Sequence, residues 1–347
     1  MRRYRRTLVA AALMATLVSG TAGWASGTAQ QPVTGPPPGT ADWRHDASLG
    51  RALPDPETAT PAQVARFFGT LSAEQQRDLA ERHPGVVGNL DGAPVQLRYR
   101  ANALAISKDP RYQRLATGGG RQIIAFDPRG RGTVAEVYGD LLTARHVSVV
   151  VPGSDIDAKT YDRSKDPYGT PAGMATSLRT ATNGRTAVVA WAGYTTPVGV
   201  GLDAATGELA EAGAARLARF TGGLSAVGAK APALFCHSYG SVVCGLAASE
   251  VAARDIVVLG SPGMRADSVG ALRTDARVWA AKDPSDWISK VPNVEFLGLG
   301  HGADPAGKDF GARRVPARTA HGHTGYFAPG TDSLRAFAAI ATGGDVR

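Results

Sequence analysis

Ser238 stands between a short apolar run and a run of small residues, in Ala-Leu-Phe-Cys236-His237-Ser238-Tyr239-Gly240-Ser-Val-Val-Cys244-Gly-Leu-Ala-Ala. The pattern predicts a strand, a five-residue turn centred on the serine, and a helix. Such a turn holds serine in strained backbone at the end of a sheet with its hydroxyl exposed. It needs small residues two places before and after, so that strand and helix can pass closely. Gly240 satisfies the second place. Cys236 occupies the first, where glycine is usual, and its sulfur needs room. The bare pentapeptide is weak evidence, and its weight comes from the strand before it and the helix after. On this reading Ser238 is a nucleophile; the plainer reading is a structural serine in an ordinary turn.

A serine hydroxyl is a poor nucleophile at its own pKa and needs an imidazole within hydrogen-bond reach, itself oriented by a carboxylate. In a strand-turn-helix arrangement the acid and the base follow the serine in that order. Downstream histidines are His301, His321 and His323. His323, in the loop before the last helical stretch, is the expected base. His321 is the runner-up, with loop surface as its plainer role, and His301 reads as a loop-ordering residue. His237, next to the nucleophile, is expected to point away from it. The acid belongs to Ala-Lys-Asp283-Pro-Ser-Asp286-Trp. Asp286 is preferred and Asp283 is the alternative, since Asp before Pro also suits a plain turn; Asp304 is a weaker third. A developing oxyanion needs two backbone N–H donors. Tyr239 would supply one, and Ser154, after Val-Ser-Val-Val-Val-Pro152-Gly153, the other, with Asp155 as fallback.

Cys236 and Cys244 are the two cysteines of the chain. In an exported protein an even count raises the prospect of a disulfide, which here would staple the catalytic turn. Two buried free thiols are the equal alternative. Neither cysteine nor histidine spacing suggests a metal, and the strings Gly118-Gly-Gly and Gly130-Arg-Gly do not open a helix, so no metal or cofactor is expected.

Short β-branched runs separated by helical stretches predict an α/β sheet, mostly parallel, with helices on both faces. Strands are expected at 122–126, 133–138, 147–151, 187–191, 233–236, 256–259 and 278–281, with an eighth near 294–297 or 313–315. The first two are spaced as a hairpin. Helices are expected at 203–220, after Ser238, near 268–272 and at 332–342. Residues 260–278 leave room for one short helix, so no large cap domain should cover the site. Walls are then expected from 194–201, from 155–172 and from a helical front segment.

That segment, 60–117, carries helix starts at Thr60-Pro61 and at Ser72, the latter as N-cap. The hydrolase-like region follows at 118–347. Before it, 30–59 is rich in Pro and Gly and reads as a mobile linker. Residues 1–29 read as a signal peptide: a basic start with Arg5-Arg6, then the uncharged stretch 7–23, with cleavage after Ala25 or Ala29. The mature chain is expected to be secreted, with no stable membrane insertion. Its formal charge of +8 falls to about +4 without the four signal arginines. The remaining basic residues are scattered, which argues against nucleic acid as a partner.

Several stretches together resemble an actinobacterial α/β-hydrolase family classed as a domain of unknown function. They are Pro84-Gly-Val-Val-Gly-Asn-Leu-Asp-Gly-Ala-Pro with Arg98, Ala101 and Asn102, then Val151-Pro-Gly, Trp191-Ala-Gly-Tyr, Cys236-His-Ser-Tyr-Gly-Ser-Val-Val-Cys, and Gly322-His-Thr-Gly-Tyr-Phe. The resemblance spans about 60–343 and implies an α/β-hydrolase fold with a Ser-His-Asp site, but no particular substrate. The function expected is a carboxylic-ester hydrolase acting on a small-molecule or lipid ester. An amidase or acyltransferase would use the same residues, and an inactive cell-envelope binding protein is the non-enzymatic alternative. Nothing in the sequence addresses oligomeric state.

Overall fold

A computed structural model describes residues 29–116, 119–296 and 298–346. Of the signal peptide expected at 1–29, residues 1–28, with the cleavage site after Ala25, lie outside these residues. Among the described residues, no helix is long and apolar enough to cross a membrane.

The stretch expected to be a mobile linker is packed instead. It contains helix α1 (Thr40–His45), and Trp43 is fully buried, its Nε1 donating to the Pro54 carbonyl at 2.8 Å. One buried indole with its N–H satisfied outweighs a Pro/Gly-rich composition. Helices α2 (Pro61–Gly69) and α3 (Ala73–Arg82) each begin with a capping box, Thr60 with Gln63 and Ser72 with Gln75. With α4 (Val95–Ser107) they enclose a small core of Trp43, Val64, Phe68, Leu79, Leu90 and Leu97.

The sheet follows, with strands β1 (Ile123–Asp127), β2 (Thr133–Tyr138), β3 (His146–Val151), β4 (Thr186–Ala192), β5 (Ala233–His237), β6 (Asp255–Leu259), β7 (Arg277–Ala281) and β8 (Arg313–Val315). The spatial order is β1-β2-β4-β3-β5-β6-β7-β8. β1 with β2, and β2 with β4, pair antiparallel; every later pair is parallel. Of the two sites expected for the eighth strand, 313–315 joins the sheet, while Glu295–Phe296 pairs only with Leu299–Gly300 in a separate ribbon.

Alternation along the strands feeds two cores. Leu234 and Cys236 face helices α6 (Glu208–Ala226) and α7 (Gly240–Ala247), whereas Ala233 and Phe235 face α5 (Pro171–Ala181) and α8 (Asp332–Ala341). The helix expected over 203–220 is in fact a short turn, Leu202–Ala205, followed by α6, with Gly207 as the N-cap of α6. Between β6 and β7 there is only the 3-10 turn Gly270–Leu272, so no large cap domain is present there. The outer edge of β1 is closed by asparagines of the front segment. Asn89 exchanges hydrogen bonds with the Phe126 backbone, at 3.0 and 2.6 Å, and Asn102 donates to the Ile123 carbonyl at 3.0 Å.

Candidate active site

β5 runs into α7 through a turn in which Ser238 has φ +54°, a left-handed conformation costing a non-glycine residue about 1–3 kcal/mol. Neighbours hold it there. The Ser238 N–H donates to the Leu259 carbonyl of β6 at 2.9 Å. A Cβ on Gly240 would lie 2.5 Å from the Val151 carbonyl oxygen, and one on Gly153 would lie 2.6 Å from Ser238 Cβ. Both glycines therefore permit the close approach of β3 to the turn. Cys236 fits at the usual glycine place because its side chain points into the α6/α7 core, where it is bonded to Cys244 in a disulfide (S–S 2.07 Å).

His323 reaches this turn from the loop between β8 and α8. Its Nε2 is 2.8 Å from Ser238 Oγ, and its Nδ1 is 2.9 and 3.0 Å from the two oxygens of Asp286. Asp286 is buried in the loop after β7 and also accepts from the Ile288 amide at 2.9 Å and the Tyr326 hydroxyl at 2.7 Å. Burial pushes its carboxyl up, but the hydrogen bond and charge of His323, with those two donors, outweigh burial and hold it below the usual carboxylate range. With Nδ1 donating to Asp286, Nε2 is free to accept the Ser238 proton. Gly260, at φ +55°, leaves room for the pair; a Cβ there would come 2.9 Å from Asp286 Oδ2 and 3.1 Å from the His323 ring.

The other candidates take different places. Asp283 is buried but does not meet His323. One of its oxygens accepts from the Ser285 amide at 2.6 Å and from its hydroxyl, the other from the His321 amide at 3.1 Å, so it orders the turn and the histidine loop. His321 is exposed at φ +56°. Asp304 pairs with Lys282 at 2.7 Å. His301 is buried with its Nε2 2.7 Å from the Ala204 carbonyl, and its ring meets Tyr239 edge-on. His237, expected to point away from the site, packs against it. Its ring centroid lies 4.7 Å from that of His323, and its Nε2 is 2.7 Å from the His323 carbonyl oxygen. Burial, with His323 beside it, pushes His237 down to about 3, so it stays neutral and donates to that carbonyl.

The amides of Ser154 and Tyr239 have no hydrogen-bond partner among the described residues. The Asp155 amide is engaged by the Pro197 carbonyl at 2.8 Å, which removes it as the fallback donor. Ser154, Ser238 and Tyr239 line one cavity of about 330 Å³ whose other walls are largely apolar: Val200, Ala204, Pro262, Ile288, Val291 and Pro292. Of the expected walls, 194–201 contributes, whereas neither 155–172 nor the front segment does. The front helices pack against β1 and α6 instead, and the segments at 287–292 and 300–301 take their place. Trp287, 41% exposed, stands at this wall with its ring 4.7 Å from that of His323. Val198, Val200, Leu202 and Val294 are also exposed on the same two loops.

Tyr326, Gly260, Gly153 and Trp287 were not singled out for these roles from sequence alone. The signal for Tyr326 is its position three residues after His323, and for Gly153 the Pro-Gly at the end of β3.

A family model described as alpha/beta hydrolase (Abhydrolase_8) matches residues 127–296. Together with the sheet order this defines the class: the chain has the α/β-hydrolase fold. Two curated relatives are uncharacterized proteins of Mycobacterium tuberculosis, MT2140 and Rv2079. Each is 28% identical over 377 aligned positions, covering 84% of this chain. The chain spans 57% of the length of these relatives. Among solved structures, XC6422 from Xanthomonas campestris, described as an a/b serine hydrolase without lid, matches 49% of this chain and 74% of its own, at 15% identity and TM-score 0.32. A structure of FAE matches 61% of this chain and 82% of its own, at 10% identity and TM-score 0.30.

Proposed function

We propose that this chain is a secreted serine hydrolase that cleaves carboxylic esters through an acyl-enzyme on Ser238. The observation that carries the reading is the continuous relay from Ser238 Oγ through His323, at 2.8 Å, to Asp286, at 2.9 Å. In the first step Ser238 Oγ bonds to the ester carbonyl carbon while its proton passes to His323 Nε2. The buried Asp286 carboxylate stabilises the imidazolium so formed, and the Ser154 and Tyr239 amides receive the oxyanion, each such donor being worth about 10²–10³ in rate. His323 then returns the proton to the departing alkoxide, and water repeats the sequence to release the acid.

Ester cleavage is preferred to amide cleavage or acyl transfer because it asks least of the leaving group. The apolar walls favour an acyl or alkyl chain. Secretion is supported by the basic and then uncharged N-terminal sequence and by the disulfide. A fluorophosphonate probe tests the assignment. Labelling should be abolished in Ser238→Ala and slowed at least a hundredfold in His323→Ala, an order-of-magnitude expectation for loss of a general base. Labelling that survives Ser238→Ala would overturn the nucleophile, and a wild type that never labels would favour a binding protein on this fold.

A further inference from the structure

Two stretches that stand out in the sequence, 84–102 and 191–194, contribute nothing to the cavity at Ser238. They meet around a second cavity, of about 280 Å³, between the front helices and the outer strands of the sheet. Asp91 and Arg98 line it from the first stretch, Trp191 and Gly193 from the second, and Arg216 and Arg219 from α6. With Arg129, its charged lining is four arginines against three carboxylates, Glu57, Asp91 and Asp127.

The charges pair unevenly. Arg98 lies 3.0 Å from Asp91, Arg129 lies 2.6 Å from Asp127, and Glu57 is taken by Arg44 at 3.2 Å. Arg219 is 3.9 Å from Asp91, and its Nη2 donates to the carbonyls of Pro56 and Ala59 at 3.1 and 2.9 Å. Arg216 has no carboxylate partner among the described residues. Its Nε donates to the Gly193 carbonyl at 2.6 Å, while Nη1 and Nη2 have no partner among the described residues. Burial lowers the pKa of this half-buried guanidinium, Asp127 and Asp91 raise it, and Arg129 lowers it again. Its terminal nitrogens stand open at the cavity, and the fork they present matches the paired oxygens of an oxyanion. Arg216 and Arg219, three apart on α6, are neighbours on one helix face. Trp191, Phe220 and Pro37 supply an apolar wall beside them.

We infer that this cavity binds a small oxyanion, a phosphate or carboxylate group, held by the terminal nitrogens of Arg216. The rest of the ligand lies along Trp191. The site is separate from Ser238, and its occupant bridges the front segment and the sheet.

Calorimetric titration of the full chain with sodium phosphate, glycerol phosphate and sodium acetate, each against sodium chloride at equal ionic strength, tests the inference. At least one oxyanion should bind saturably. Arg216→Met, which keeps the stem and removes the fork, should weaken it about tenfold or more, as expected for a lost charge-assisted contact. Turnover of a p-nitrophenyl ester should be unchanged in that variant. Binding of the two phosphates alone assigns a phosphoryl group, and binding of acetate alone assigns a carboxylate. Tighter binding of glycerol phosphate than of phosphate assigns an anion carried on a larger molecule. Should Arg216→Met fail to fold, Arg216→Lys, which keeps the charge without the fork, should still weaken binding severalfold. No saturable binding of any of the three anions, or equal affinity in wild type and variant, overturns the inference.

Discussion

Replacing Asp286 by asparagine is the sharpest test of the proposed acid, because Asp283 lies three residues away and is buried as deeply. Asparagine keeps the shape, and its carbonyl oxygen can still accept from the Ile288 amide and His323 Nδ1. Its NH2 group then faces the Tyr326 hydroxyl, which already accepts the Asp283 amide at 3.0 Å and would lose its own acceptor. The fold should therefore lose about 1–3 kcal/mol, the cost of one charged hydrogen bond. The transition state should lose more. His323 becomes an imidazolium as it takes the Ser238 proton, and the carboxylate 2.9 Å from its Nδ1 has gone. A change of this kind in a Ser-His-Asp triad costs about 10⁴-fold in kcat, or about 5.4 kcal/mol at 1.36 kcal/mol per decade. Asp283→Asn removes contacts to Ser285 and the His321 amide but none to His323, so it should cost about 1–2 kcal/mol of stability and less than about tenfold in kcat. The assay is p-nitrophenyl butyrate hydrolysis, with the folded fraction checked by circular dichroism melting. Equal losses of kcat in the two variants at equal melting temperature would refute the reasoning.

Tyr326→Phe should lower kcat about tenfold and leave KM unchanged, since it removes one charge-assisted donor from Asp286 without touching substrate; steady-state kinetics decide, and a pure KM effect would contradict the role. Reducing the Cys236–Cys244 bond, or replacing both cysteines by alanine, should cost about 2.5 kcal/mol from the loop it closes, given a separation of 8 residues. Urea unfolding with and without reductant measures it, and coincident curves would argue against the bridge. His237 and His301 are held neutral by burial, down to about 3 and about 4, while both titrate near about 6.5 when unfolded. The unfolded chain thus binds protons that the folded one refuses, and stability should fall as pH drops from about 6.5 towards 4, less steeply in His237→Gln; a flat urea midpoint across that window would count against it. Val200→Ser with Leu202→Ser should raise KM for long-chain esters and leave acetate esters unaffected, because both side chains are exposed where substrate would enter; equal changes for both chain lengths would deny the loop a part in binding.

What the sequence made legible follows the range of the interactions involved. All seven firmly expected strands start and end within a residue of the observed ones, because each is a short β-branched or apolar run between turn residues. Ser238, His323 and Asp286, picked by type and order, are the residues that the structure brings within hydrogen-bond reach. Helix α5 is hard to read from sequence because Thr, Ser and Gly interrupt its apolar face, though Thr170 before Pro171 is a cap signal. Of the cavity walls only 194–201 was legible. Whether 155–172 or 287–292 faces the serine depends on where two long loops settle, and no local periodicity encodes that.

Near the chemistry, a residue's rank in the turn does not by itself give the direction of its side chain. His237 was expected to turn away because it precedes the nucleophile. It does lie on the opposite side of β5 from Cys236, but that side is where the His323 loop arrives, and its Nε2 ends on the His323 carbonyl. Cys236, for its part, stands where glycine is usual, and its sulfur needs room. Pointing into the α6/α7 core, it crosses to Cys244 and ties the strand to the helix at the point where Ser238 is held at φ +54°. The residues on either side of the strand's end thus act on the two halves of the site: the disulfide fastens the turn that carries the hydroxyl, and the neutral histidine fastens the loop that carries the base.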